Sequence, residues 1–304
     1  MKIIVRAPEI KLLKRTPKKP IKELKEHSLV IFRKPRGPKS RHSTRFLINK
    51  LGFVKAGHAG TLDPITTGVL PVFLNRGNKI SSVLSLSKKS YRANMRLHSS
   101  TTKKSLDKSI KKFTGKIMQM VPKISAVKRQ LREREIYKLI IEKIDNKNVT
   151  LFVECQAGTY VRKLIHDIGQ ELGVGAHMNK LERVKSGPFS LKDTKSEKVI
   201  ISAIKSKKEG RIRKVLIPLE KAVSEMQKVW IDNGALKPWT YGSPIYFSGI
   251  LQFTEGINEE DKVAVFNQKN ELIGIGISKA NSKKLLSEAK GIAIRNFINL
   301  LKVK

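Results

Sequence analysis

The sequence predicts an α+β protein in two parts: interleaved helices and strands as far as residue 222, then a small β-barrel from residue 228. Three observations predict it. In the first part, segments of strand period ("YRANMRLH", "NVTLFVEC") alternate with segments of helical period ("TTKKSLDKSIKKF", "YVRKLIHDIGQEL"). In the second, short apolar runs ("KVWID", "PIYF", "DKVAVFN", "ELIGIGIS", "GIAIRNFI") are separated by turn residues, the mark of a barrel with little helix. The length of 304 residues suffices for two cores.

Taken in order, residues 1–27 are basic and proline-punctuated, and read as an extension rather than a core element. "LVIF" at 29–32 is a short buried strand followed by a Lys/Pro/Gly loop. Ser43 is placed to cap a helix through "TRFLINKL" that Gly52 closes. In "YRANMRLH", Tyr91, Ala93, Met95 and Leu97 form an apolar back; Arg92, Asn94, Arg96 and His98 form a basic front. Leu106, Ile110 and Phe113 make the stripe of an amphipathic helix that Gly115 ends. "NVTLFVEC" is a strand that runs through "QAGT" into a helix with Leu164, Ile165, Ile168 and Leu172 on one face and Gly173 at its end. The basic run 204–214 reads as an exposed connection.

A net charge of +38 implies a polyanionic partner, nucleic acid before membrane, since no long basic amphipathic helix stands out. A Lys-rich genome accounts for part of the excess. One cysteine, Cys155, leaves no internal disulfide and no multi-cysteine zinc site; it reads as a small buried residue. The six histidines show no metal-ligand spacing, and no metal or cofactor is expected. The N-terminus lacks the apolar core of a signal peptide, and no apolar run spans a membrane, so a cytoplasmic protein is expected.

Within this basic chain, Asp63 is the only acid between Glu26 and Asp107, a stretch that carries sixteen Lys and Arg. It lies in "GHAGTLDPITTGVLP". Pro64 disfavours helix at Asp63, Gly57 and Gly60 permit close backbone approach, and Thr66 and Thr67 supply hydroxyls. An ordinary Asp-Pro turn would also look like this. A carboxylate that acts on RNA needs cations beside it. Arg162, near a helix start among apolar Val161, Leu164 and Ile165, reads as a partly buried guanidinium seeking a carboxylate, with Asp63 a candidate and Asp167 the helix's own acid. A plain surface arginine is the alternative.

"GHAGTLDPITTGVLP" resembles the signature loop of the TruB/dyskerin family of pseudouridine synthases. Further segments resemble other motifs of the family, in its order: "RKPRGP" its first Lys-Pro motif, "KSY" (89–91) the segment of its active-site tyrosine, and "VPKISAVKRQLREREIY" and "CQAGTYVRKLIHDIGQELGVGAHMNKLERVKSGPF" (155–189) segments of its archaeal and eukaryotic branch, with "IDNGA", "GSPIYFSGI" and "NELIGIGIS" resembling a PUA domain. The resemblance implies a basic N-terminal extension packing on the PUA domain (1–27), a catalytic domain with a mixed, mostly antiparallel sheet flanked by helices (28–222), and the PUA barrel (228–304). It implies Asp63 as catalytic carboxylate, Tyr91 stacking on the flipped base and moving a proton, and Arg162 pairing with the carboxylate. His58, Leu181 and Lys34 fall at positions around the target nucleotide, with Lys34 and Pro35 in a motif more structural than chemical. Where the family has other residues, this chain has Arg33 in place of a common acid, one proline in "MVPKIS", and Glu182 and Lys185 in "LERVKSG".

The implied reaction cuts the glycosidic bond of a flipped uridine, turns the base and joins its C5 to the sugar. One carboxylate suffices, as a nucleophile or as a base, and an aromatic ring retains the detached base through stacking worth roughly 1–3 kcal/mol. The implied partners are tRNA, box H/ACA guide RNA and rRNA, with small accessory proteins of the H/ACA particle. The chain ends without the Lys-rich tail of eukaryotic members, which points to the archaeal branch. The reading from another class is a non-catalytic RNA-binding scaffold, which loss of Asp63, Tyr91 or Arg162 would have favoured.

Overall fold

The computed structural model describes residues 1–122 and 128–301. Residues 123–127 of the "VPKISAVKRQ" motif lie outside it. Two compact units result: Val30–Phe73 with Ser81–Val215, and Met1–Leu29 with Leu74–Ile80 and Leu216–Lys304.

The first unit is built on one sheet. Its strands lie in the order His27–Lys34, Thr66–Asn75, Ala176–Ser186, Lys89–Leu97, Asn148–Cys155, Leu131–Asp145, Gly115–Met120. Lys89–Leu97 pairs antiparallel with both of its neighbours, while Thr66–Asn75 runs parallel to Ala176–Ser186. The parallel register brings Thr66 beside Leu181 and Gly68 beside Arg183. Ala93, Met95 and Leu97 form the apolar back that the alternation predicts. Leu164, Ile165 and Ile168 of the helix Val161–Glu171 bury against them, together with Leu106 and Ile110 of the helix Lys103–Lys112. Burial of each such side chain contributes about 1.5–3 kcal/mol, enough to hold the 161–171 helix rigidly on the sheet. Cys155, 1% exposed, lies in the same core.

Three local expectations differ from the structure. The helix at 40–51 begins at Ser40, not after Ser43, which is buried in its first turn; Gly52 closes it in the left-handed conformation (φ 71°). The 103–112 helix ends at Phe113, and Gly115 (φ 94°) instead opens the next strand. The basic run 204–214 is not simply exposed: a short helix, Glu209–Arg213, buries Ile212 within it.

The second unit is the β-rich C-terminal part. Its sheet order is Ile3–Val5, Ile250–Thr254, Lys228–Ile231, Lys262–Phe266, Leu272–Ser278, Ile292–Asn299, Ile245–Tyr246. Trp239 is fully buried at its centre, among Phe253, Val263, Val265 and Ile273. The N-terminal residues are more than an extension, because Ile3–Val5 adds an edge strand with Ile3 opposite Thr254 and Val5 opposite Gln252. Lys19, 7% exposed, pairs with Glu220 at 2.8 Å and Glu23 at 3.4 Å. Ile217–Pro218 pairs with Ser28–Leu29 in this unit. Among the described residues no helix is long and apolar enough to cross a membrane.

Candidate active site

The loop that carries Asp63 is fixed from below by three polar side chains on three different elements. Ser40 Oγ donates to the Leu62 carbonyl and accepts from the Leu62 N–H, both at 2.9 Å. Lys34, which is fully buried, donates to the carbonyls of Pro35 (3.0 Å), Pro64 (3.3 Å) and Thr66 (2.9 Å). Arg183, 1% exposed, donates to Val69 O (2.7 Å) and Gly60 O (3.0 Å). The Thr66 N–H closes the Asp-Pro turn onto the Asp63 carbonyl at 3.0 Å. Ala59 and Leu62 are buried, so the loop's apolar residues anchor it while Asp63 stays 56% exposed. At Gly68 (φ 105°) a Cβ would stand 2.3 Å from the Arg183 carbonyl, so only glycine lets the two strands approach.

Arg162 forms an ion pair with Asp63. Its position follows from the helix packing: Val161, Leu164 and Ile165 face the core, which turns Arg162 toward the loop. The helix start is clamped by Gln119, 2% exposed, which accepts from the Tyr160 N–H (3.0 Å) and donates to its carbonyl (3.3 Å). The guanidinium is 52% exposed, because its apolar neighbours lie on the opposite face of the helix. An ion pair this open contributes only about 0–1 kcal/mol to stability. Folding energy therefore does not account for a clamped helix end and a locked loop meeting at one carboxylate. Asp167 belongs to its own helix, paired with Lys163.

Tyr91 packs at the edge of the core that includes Leu181. Burial raises its phenol above the ordinary value; Arg183 lowers it through charge and a hydrogen bond, and Asp63 adds a smaller upward effect. Leu181, 9% exposed, lies between Thr66 and Ala93 in register. His58 rests its Nε2 3.2 Å from Thr61 Oγ1, and burial, then Arg183 and Arg41, lower its pKa. Asp63, Arg162, Tyr91, Leu181 and His58 are thus grouped around one loop. Lys34, expected at a position around the target nucleotide in a motif more structural than chemical, has its donors on backbone carbonyls beneath the loop. Burial lowers its pKa, against the pull of Asp63.

Sequence reasoning missed Arg183, Gln119, Ser40 and Lys89. Lys89 Nζ is caged by Leu84 O, Ser85 O, Ser87 O and Ser87 Oγ, and burial, with Arg183 adding, brings it down to about 7. A signal existed for Arg183, which stands two residues after Leu181 on a strand and so shares its face. Two of the chain's departures also explain each other: Arg33 and Glu182 form an ion pair at 3.4 Å.

Comparison with known proteins bears on this arrangement. The chain matches the TruB family pseudouridylate synthase N-terminal domain over residues 48–161, the tRNA pseudouridylate synthase B C-terminal domain over 162–224 and the PUA domain over 227–297. It is 40% identical over 280 residues to the "Probable tRNA pseudouridine synthase B" of Nanoarchaeum equitans, covering 91% of this chain and 80% of that one. The protein of the same name from Methanopyrus kandleri is 38% identical, covering 91% and 83%. Among solved structures, the chain is similar to a protein in a Cbf5-Nop10-Gar1 complex (TM-score 0.94, 34% identity, 99% of this chain and 94% of that one). It is also similar to one in an H/ACA RNP bound to a substrate RNA containing 2'-deoxyuridine (TM-score 0.91, 32% identity, 99% and 94%). With its locked Asp63 loop, its Arg162 partner and its C-terminal PUA domain, the chain belongs to the TruB family of pseudouridine synthases, isomerases that act on uridine in RNA.

Proposed function

We propose that this protein is the catalytic subunit of a box H/ACA guide particle that converts uridine to pseudouridine in rRNA, and that it also modifies the TΨC-loop uridine of tRNA. The observation that carries the reading is the Asp63–Arg162 pair, open to an incoming base beside Tyr91. The similarity to chains solved with Nop10, Gar1 and substrate RNA supports small accessory proteins and guide RNA as partners. Residues 28–222 act as the catalytic domain and the PUA domain at 228–304 grips RNA, with residues 1–27 packed on it; the protein works in the cytoplasm and needs no cofactor.

In this reading Asp63 is the one carboxylate at the reacting sugar or base. Either attack begins from an ionised, aimed carboxylate, and a guanidinium alongside supplies the aim. Tyr91 stacks on the flipped base and serves proton transfer, Leu181 packs beneath it, and His58 borders the vacated position in the RNA. Asp63→Asn tests the assignment with guide RNA, accessory proteins and unmodified rRNA and tRNA substrates. Pseudouridine formation is expected to vanish while RNA affinity stays within about twofold, since the asparagine keeps the side-chain shape. Turnover near wild type would show that the chemistry does not rest on Asp63.

A further inference from the structure

Arg183 is a buried cation whose burial needs an explanation. Among the described residues it meets no carboxylate, and burying an uncompensated charge costs several kcal/mol. It donates to Val69 O at 2.7 Å and to Gly60 O at 3.0 Å, and the side chain stands beside that of Tyr91, its register partner on the neighbouring strand. Gly60 precedes Asp63 and Val69 follows it, so one guanidinium ties both limbs of the catalytic loop together beside the aromatic ring. Its backbone is pinned as well: Tyr91 is its register partner on one side and Gly68 on the other. A Cβ at Gly60 would stand 3.2 Å from Arg183 Nη1, so the loop lies directly on the guanidinium.

A guanidinium has donors and no acceptor. Where the guanidinium meets the neighbouring Tyr91 phenol, the phenol oxygen must therefore accept. That leaves the phenol's own O–H to point away from Arg183. We propose that Arg183 is a positioning residue for the isomerisation: by donating to the Tyr91 oxygen and to the Gly60 and Val69 carbonyls, it aims the Tyr91 O–H at the bound base and fixes its distance from Asp63. This rests on the reading of Tyr91 as the residue that meets the base. Burial raises the phenol, which keeps the proton on Tyr91 for donation, while Arg183 limits the rise.

The test is a double-mutant cycle with Arg183→Lys and Tyr91→Phe, read by single-turnover pseudouridine formation in the assembled particle. Arg183→Lys keeps the charge and loses the fork. It is expected to lower the rate about 30-fold or more with Tyr91 present, yet less than about 3-fold in the Tyr91→Phe background, with RNA affinity unchanged. Losses that multiply across the two sites overturn the proposal, because Arg183 would then merely brace the loop. Tyr91→Phe as active as wild type also overturns it, while leaving Asp63 and base stacking intact, since phenylalanine still stacks. A second measurement serves if Arg183→Lys does not fold. Replacing Tyr91 with 3,5-difluorotyrosine makes the phenol more acidic without disturbing Arg183, and should move the alkaline limb of the rate profile to lower pH; an unmoved limb overturns the proposal.

Discussion

Asp63 drew attention in the sequence because it stands alone, one acid among sixteen cations before a proline; an ordinary Asp-Pro turn would look the same, and the resemblance of its loop singled it out. Arg162 was legible as a partly buried group with Asp63 as a candidate partner, but the pairing itself was not, since which face of a helix meets a loop is a tertiary matter. A bidentate fork differs from a point charge. Arg162→Lys should therefore retain partial activity, and Arg162→Met should lose at least about tenfold more, the cost of roughly 1.4 kcal/mol of transition-state binding. Single-turnover rates decide this, and equal rates for the two variants would remove the pair from the mechanism. Cys155 makes the opposite case. It is 1% exposed, and burial pushes its thiol up to about 12. The folded state favours the protonated thiol. The resulting stabilisation is complete below the ordinary thiol pKa and is lost as pH rises toward 12. Iodoacetamide at mildly alkaline pH should accordingly label Cys155 only as fast as the protein unfolds, and rapid labelling of native protein would contradict its burial.

At the scale of elements, the sequence showed which segments were strands and helices but not what their polar ends were for. Ser43 looked like a cap because Ser before an apolar run usually is one. The helix instead begins at Ser40, whose hydroxyl makes no cap and bonds to both sides of Leu62, 22 residues away. Such a long-range bond leaves no local pattern to read. Glu209–Arg213 was hidden for another reason: between Ile204 and Val215, Ile212 stands alone among basic and polar residues, and one apolar residue shows no period. The locking of the loop makes its own prediction. Ser40→Ala leaves the Leu62 N–H and carbonyl buried without partners, which should cost about 1–3 kcal/mol by denaturant unfolding. The loop also carries Asp63, so turnover should fall while RNA affinity holds. Lost stability with unaltered turnover would show that Leu62 does not govern where Asp63 sits.

For the molecule as a whole, the charge of +38 predicts an RNA affinity that falls steeply with salt, with a slope of several counterions in log K against log salt; a flat slope would assign the charge another purpose. The N-terminal segment, read from sequence as an extension, has a firmer role. Strands of three residues carry almost no periodic signal, so Ile3–Val5 could not be seen before its partner was known. In the structure it pairs with Gln252–Thr254, the Arg6 and Ala7 N–H groups bond to Leu251 O at 2.8 and 3.0 Å, and the Arg6 guanidinium bonds to the carbonyls of Leu285 and Glu288. Ile4 packs on the core around Trp239. Removing residues 1–9 would take away this hydrogen-bonded strand and Ile4 together. At about 1 kcal/mol net per hydrogen bond plus about 1.5 kcal/mol or more for the isoleucine, the PUA-bearing unit should lose about 3–6 kcal/mol. Its thermal transition should fall by calorimetry. The bared edge of Ile250–Thr254 is then a row of unpaired N–H and carbonyl groups, a template for another chain. Self-association that rises with protein concentration should follow in sedimentation experiments, and guide-RNA binding should weaken with the loss of the folded barrel. A truncated chain that stays monomeric, melts at the same temperature and binds guide RNA as before would show that the segment is an appendage after all.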